Sequence, residues 1–175
     1  MDNILKRTIV VVPYDPEWKN EFQKIKSMLL PHIGDLILDI VHIGSTSVEG
    51  LSAKPIVDFN IVMDSYNIFP ALRKRLEELG YEYEGNGGIT GRERFKRTYK
   101  DEFITYHMYV CPKDSHEHMR NIIFRDYLRT HPVEADKYAQ LKIQLAEQFR
   151  HDINSYTGSK HEFIEDILLK AKAIK

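Results

Sequence analysis

A chain of 175 residues, 42% hydrophobic and 29% charged, has the length and balance of a soluble globular unit that buries a core without disulfide or metal staples. Its net charge of −1 supplies no bulk attraction to nucleic acid or to an anionic membrane, so neither is an expected partner. The lone Cys111 excludes an internal disulfide and suits a reducing cytoplasm; no signal segment is visible at Met1 to Lys6, and no apolar run approaches the roughly 20 residues of a membrane helix.

Taken in order, Thr8 to Val12 is a β-branched run that predicts a short strand at the rim of a sheet. Asp15 and Pro16 read as a helix cap followed by proline at the first helical position. Trp18, Phe22, Ile25 and Leu29 then recur every three or four residues, the stripe of one helix that Pro31 and Gly34 end or bend. Leu36 to Ile43 predicts a first central strand and Ile56 to Met63 a second, with a small-residue loop between them. Asp64, Ser65 and Asn67 offer caps for a helix from about Ile68 to Leu79, stopped by Gly80.

Tyr81 to Glu84 alternates like a strand. Gly85, Gly87, Gly88 and Gly91 crowd into the next stretch and predict a mobile loop. Strands at Phe95 to Tyr99 and Phe103 to Val110, separated by Lys100-Asp101-Glu102, suggest a hairpin. Beyond Ser115 three helical stripes follow: Met119, Ile122, Ile123, Tyr127 and Leu128; then Tyr138, Leu141, Leu145 and Phe149; then, after a loop at residues 154–159, Phe163, Ile164, Ile167, Leu168 and Ala171. The expected fold class is α+β in a single domain (1–175), with a sheet-containing core over residues 1–112 and a helical part over 113–175.

The chemistry concentrates between the first two strands. Gly44 permits a tight turn and keeps a Cβ away from an approaching anion. Backbone N–H groups with the hydroxyls of Ser45, Thr46 and Ser47 suit phosphate oxygens. Asp58 interrupts the apolar second strand, and Asn60 projects from the same strand face. A carboxylate facing such a loop suits a Mg2+-bound nucleotide, whereas the structural alternative is an ion pair with Lys54 or an arginine. Gly44 and Gly50 with Lys54 do not fit a P-loop, and Gly44-Ser45-Thr46-Ser47 does not fit a nucleophile elbow. His116, His118 and His131 lack the paired spacing of a zinc site.

Gly44-Ser45, followed by Asp58 among apolar neighbours, resembles the signature of polymerase-beta-like nucleotidyltransferases. Gly44-Ser45-Thr46-Ser47-Val48 and Ala53-Lys54-Pro55 resemble more closely the GrpB family within that superfamily. Pro13 to Trp18, Phe124 to Pro132 and Tyr138 to Lys142 extend the likeness from about residue 10 to residue 170. The resemblance implies a nucleotidyltransferase-like mixed sheet and a metal-dependent transfer of a nucleotidyl group from a nucleoside triphosphate to an unknown acceptor. In that reading Asp58 and Asn60 are the metal positions, Asp58 and His107 are catalytic, and Gly44, Ser45, Thr46, Lys54, Arg92, Arg94 and Arg125 bind nucleotide or phosphate.

Two departures stand out. Asn60 occupies a position usually carboxylate in the superfamily, and an amide carries no charge for a second metal. The family's His-x-His reads here as His107-Met108-Tyr109, leaving His107 as metal ligand, general base, phosphate contact or structural histidine. Glu82, Glu84 and Glu102 are candidates for a third carboxylate by position alone, Lys142 and Lys160 rank lower, and His42 is either a ligand contact or a buried structural histidine. The competing expectation is a non-catalytic nucleotide-binding or accessory module with a degraded metal site. Family members fused to a dephospho-coenzyme A kinase make such a role imaginable.

Overall fold

A computed structural model describes residues 8–173. Five strands, β1 (Asp39–Ile43), β2 (Val57–Met63), β3 (Tyr81–Gly85), β4 (Glu93–Arg97) and β5 (Tyr106–Pro112), form one sheet in the order β1-β2-β5-β4-β3. The sheet is mixed: β2 and β5 run parallel, and the other neighbouring pairs are antiparallel. Helices α1 (Glu17–Ile33) and α2 (Phe69–Glu78) cover one face. The later helices α3 (His116–Thr130), α4 (Pro132–Gln148), α5 (Ile153–Gly158) and α6 (His161–Ala173) follow the sheet in sequence.

Strand alternation divides the sheet chemically. Val57, Phe59, Ile61 and Met63 of β2 point with Met108 and Val110 of β5 into a core that also takes Phe22, Ile25 and Leu29 from α1 and Leu72 and Leu76 from α2. Each such side chain fully removed from water contributes about 1.5–3 kcal/mol before entropy is counted. The intervening residues, Asp58 and Asn60 on β2 and His107 and Tyr109 on β5, therefore share the opposite face. Asp58 stands in register with His107, and Asn60 with Tyr109.

Several expectations need correction. Residues Thr8 to Val12 form no strand; only Val12 bridges Ala53, while the Ile9 N–H donates to the carbonyl of Arg150. Ile9 instead packs with Leu145, Ala146 and Tyr156, so the β-branched run serves the helical part rather than the sheet. The first strand begins at Asp39, not Leu36, and lies at the sheet's edge rather than its centre. Its outward carbonyls are capped by side chains, Ile40 by the Lys26 ammonium at 2.9 Å and His42 by the Arg125 guanidinium at 2.9 Å, which answers the exposed-edge problem. Strand β4 starts two residues earlier than expected, and β5 starts three residues later. Pro31 sits inside α1 without ending it.

Among the described residues four helices follow the sheet, not three. The segment expected to be a loop at 154–159 contains α5, opened by Asp152, whose carboxylate accepts from the Ser155 N–H at 3.1 Å and the Ser155 hydroxyl at 2.7 Å. Tyr156 in this helix is buried. Elsewhere Asp15 caps α1 by accepting from the Glu17 N–H at 2.9 Å, and α2 ends at Glu78, two residues before the expected stop Gly80, which takes φ +86.

Candidate functional site

The bend after β1 brings the first two strands' chemistry together. Gly44 adopts φ 70, a region a side chain rarely tolerates, and Ser45–Ser47 form one 3-10 turn. The Ser47 hydroxyl closes the turn by donating to the Gly44 carbonyl at 2.6 Å. A Cβ on Gly44 would meet Asp58 Oδ2 at 2.8 Å, so the carboxylate lies directly against the glycine.

On the other side of β2, the His107 Nδ1–H donates to Asp58 Oδ1 at 2.8 Å. This bond fixes the imidazole's orientation and, in the neutral ring, leaves Nε2 as the free acceptor. Both side chains are partly exposed and line a cleft of about 520 Å³. The opposite wall comes from α4, α5 and the turn that follows them, through Lys142, Asn154, Tyr156, Thr157 and Lys160.

Of the expected site residues, the cleft collects Ser45, Thr46, Lys54, Asp58, Arg94 and His107, with Gly44 immediately behind Asp58. Three stand apart. Arg92 lies over the Tyr109 ring at 4.7 Å and 4.0 Å from Glu117, outside the cleft lining. Arg125 holds α3 to the sheet edge through the His42 carbonyl and pairs with Asp126 at 2.7 Å. Asn60 is fully enclosed, its Nδ2–H donating to His118 Nδ1 at 3.1 Å. Its Oδ1 has no partner, yet Asn60 lines no part of the cleft.

None of the positional candidates for a third carboxylate reaches the cleft. Glu84 instead pairs with Arg94 at 2.8 Å. Histidine 42 is a core residue: it stacks on Phe22 at 4.6 Å and is hydrogen-bonded to Thr46 at 2.9 Å, and burial pushes it down to about 4.

Lys142 and Lys160 prove central to the geometry. Lys142 is 2% exposed, lies 4.6 Å over the Tyr138 ring and donates from Nζ to the Ser52 carbonyl. Burial, then Lys160 and Lys54, bring it down to about 7. Lys160 lies 4.4 Å over Tyr156 and is brought to about 8 by burial and by Lys54. Lys54 is also lowered by burial, with Asp58 opposing. One signal in the sequence pointed to Lys142: it falls four residues after Tyr138 and three before Leu145, a charge inside an apolar helical stripe. Lys160 carried no comparable mark.

A divalent ion was expected at Asp58 and Asn60, and the donor set does not fit one. Mg2+ asks for hard oxygen ligands, commonly one or two carboxylates beside substrate phosphates. Among the cleft-lining residues Asp58 is the sole carboxylate, one of its oxygens is bonded to His107, and Lys54, Lys142, Lys160 and Arg94 line the same cleft. The unpartnered Asn60 oxygen is enclosed and cannot meet an ion in the cleft. Among the described residues no three His, Cys, Asp or Glu side chains converge as a metal cluster, and no helix is long and apolar enough to cross a membrane.

Comparison with known proteins places these features. A profile of the family described as GrpB protein matches residues 8–170. The glutamate-rich protein GrpB of Alkalihalophilus pseudofirmus is 33% identical over 171 residues, 96% of this chain and 98% of that protein. UPF0157 protein YqkA of Bacillus subtilis is 36% identical over 170 residues, 97% of this chain but 49% of YqkA, so the chain spans about half of that relative. A dephospho-CoA kinase of Mycobacterium tuberculosis is 23% identical over 186 residues, covering 92% of this chain and 45% of the kinase. Among solved structures, the conserved protein GrpB from Enterococcus faecalis superposes with a TM-score of 0.81 at 35% identity, over 93% of this chain and 96% of that one. Cid1 in complex with the UTP analogue UMPNPP gives 0.54 at 12% identity, over 79% and 42%, a likeness of fold alone.

Proposed function

The chain belongs to the GrpB family, and from that premise we propose that its cleft binds a nucleoside triphosphate and transfers the nucleotidyl group to an acceptor of unknown identity. The observation that carries this reading is the Asp58–His107 bond, set beside the Gly44–Ser45 bend in a cleft whose far wall is basic. Ser45, Thr46 and the bend's backbone would hold phosphate oxygens. Lys54, Lys142 and Lys160 would offset their charge. His107 Nε2, oriented by Asp58, would take the proton from the acceptor's nucleophile as it bonds to the α-phosphorus and pyrophosphate leaves. These side chains would act without a metal ion, because Asp58 is the sole carboxylate lining the cleft and one of its oxygens is held by His107. The buried Cys111 accords with a reducing cytoplasm as the place of action.

One observation favours a second reading, a nucleotide-binding accessory module without catalysis. Asn60 stands where a second acid would be, and its amide is turned to His118. The part-length match to a dephospho-CoA kinase gives such a module a setting beside that enzyme. Incubation with α-labelled nucleoside triphosphates and a panel of hydroxyl and amine acceptors separates the two. Label transfer with pyrophosphate release, lost in His107→Gln, supports the transferase. Saturable binding with no transfer supports the module, and absence of any nucleotide binding overturns both.

A further inference from the structure

Resting on the reading of the cleft as a nucleotide site, we infer that it takes the polyphosphate as a free anion, with three lysines rather than a divalent ion supplying the opposing charge. The ammonium groups come from separate parts of the chain: Lys54 ahead of β2, Lys142 within α4, and Lys160 between α5 and α6. Lys54 and Lys160 lie over the same ring, Tyr156, at 5.5 and 4.4 Å. The carboxylate felt by Lys54 and Lys160 is Asp58, which lines the same cleft but makes its close bond with His107. This separates them from Arg94, which Glu84 already neutralises at 2.8 Å.

Gathering like charges in a half-enclosed space works against folding, because burial and mutual repulsion both disfavour the charged forms. Both effects lower Lys142 and Lys160 here, with Asp58 opposing them at Lys160. An anion entering the cleft removes the conflict, and a triphosphate offers charge to all three amines at once. A metal chelate would not, since the ion would cancel phosphate charge that the lysines need and would find Asp58 as its sole carboxylate in the cleft. In this arrangement Asp58 is a positioning residue for His107, and towards the phosphates it is a like charge.

Isothermal titration of the full chain with ATP and with inorganic tripolyphosphate, in excess EDTA and in excess MgCl2, tests the inference. The expected result is ATP binding in EDTA at least as tight as with Mg2+, with tripolyphosphate competing. Lys142→Met and Lys160→Met should each weaken binding in EDTA about ten-fold. Lys160→Met, at a partly exposed position, decides the matter where the enclosed Lys142 variant fails to fold. Asp58→Asn should tighten binding in EDTA. Binding that needs Mg2+, or affinity lost in Asp58→Asn, overturns the inference and leaves the nucleotide reading standing. Failure of ATP to bind under either condition overturns both.

Discussion

Gly44 and Asp58 are in such close contact that a methyl group on the glycine would stand 2.8 Å from the carboxylate's Oδ2 and 3.1 Å from its Cβ. The glycine also holds φ 70, so Gly44→Ala meets both a backbone penalty and a clash. The expected loss is about 1–3 kcal/mol of unfolding free energy, the usual range for a side chain forced into a sparse backbone region. Urea unfolding measures it. Nucleotidyl transfer should fall further than stability alone explains, because Asp58 must move and takes the His107 orientation with it.

Asp58→Asn should separate binding from turnover. An amide can keep the strand packing but no longer favours the tautomer in which Nδ1 of His107 carries the proton. By analogy with the loss of an orienting aspartate beside a catalytic histidine, transfer should fall roughly a thousand-fold or more. Folding should remain close to that of the unaltered chain, read by thermal melting. Turnover equal to that of the unaltered chain would remove His107 from its proposed role.

Much of this architecture was legible because it depends on local rules. The period-2 pattern around Phe59 and the stripe Phe22, Ile25 and Leu29 state which face is buried, and the structure buries those residues together. Asp58 and His107 could be named separately, but their pairing depends on a parallel β2–β5 register set by the whole sheet. The helical wall was harder to foresee. The Asp152 cap and the burial of Tyr156 turn an apparent loop into α5, and only then do Tyr156 and Lys160 face Lys54 across the cleft. Arg125 illustrates the converse: a basic residue in a family-like segment is engaged by an edge-strand carbonyl.

His42 gives the folded state a definable response to acid. Burial lowers it from 6.5 to about 4, so the unfolded chain binds this proton more readily than the folded one. Its contribution to stability is therefore fully present above 6.5 and is lost as pH falls towards about 4. The shift corresponds to at most about 3 kcal/mol. Because carboxylates titrate in the same window, the informative quantity is the difference between the unaltered chain and His42→Gln in urea midpoints. That difference should shrink steadily on acidification through the window, and a difference independent of pH would mean that His42 is hydrated.

Lys142 should cost stability when no anion is bound. Burial first, then Lys160 and Lys54, lower it from 10.5 to about 7, so the unfolded chain takes up this proton more readily. The stability deficit is absent above 10.5, grows as pH falls and is complete below about 7. The Ser52 carbonyl and the Tyr138 ring recover part of it. Lys142→Met should therefore raise the unfolding free energy near neutral pH by about 1–2 kcal/mol, as replacement of a buried charge by an apolar chain often does. The same variant should lose the melting-temperature rise that tripolyphosphate gives the unaltered chain. A destabilised Lys142→Met would show that its polar contacts outweigh its burial.

Asn60→Asp tests whether the missing second acid explains the absence of a fitting metal site. The superfamily pattern suggests that restoring the carboxylate would create Mg2+ affinity. The packing argues otherwise, because Asn60 is wholly enclosed, outside the cleft lining and held to His118. A carboxylate there would sit 3.1 Å from a ring nitrogen that now accepts, so to avoid a lone-pair conflict His118 would have to move its ring proton to Nδ1 or take up a second one. Burial and Arg125 both lower His118, which makes that proton costly. The expected outcome is a less stable chain, by about 1–3 kcal/mol, with no rise in melting temperature on adding MgCl2. A Mg2+-dependent rise in Asn60→Asp that Asp58→Asn abolishes would show that this strand position opens to the cleft, and would return the metal to the site.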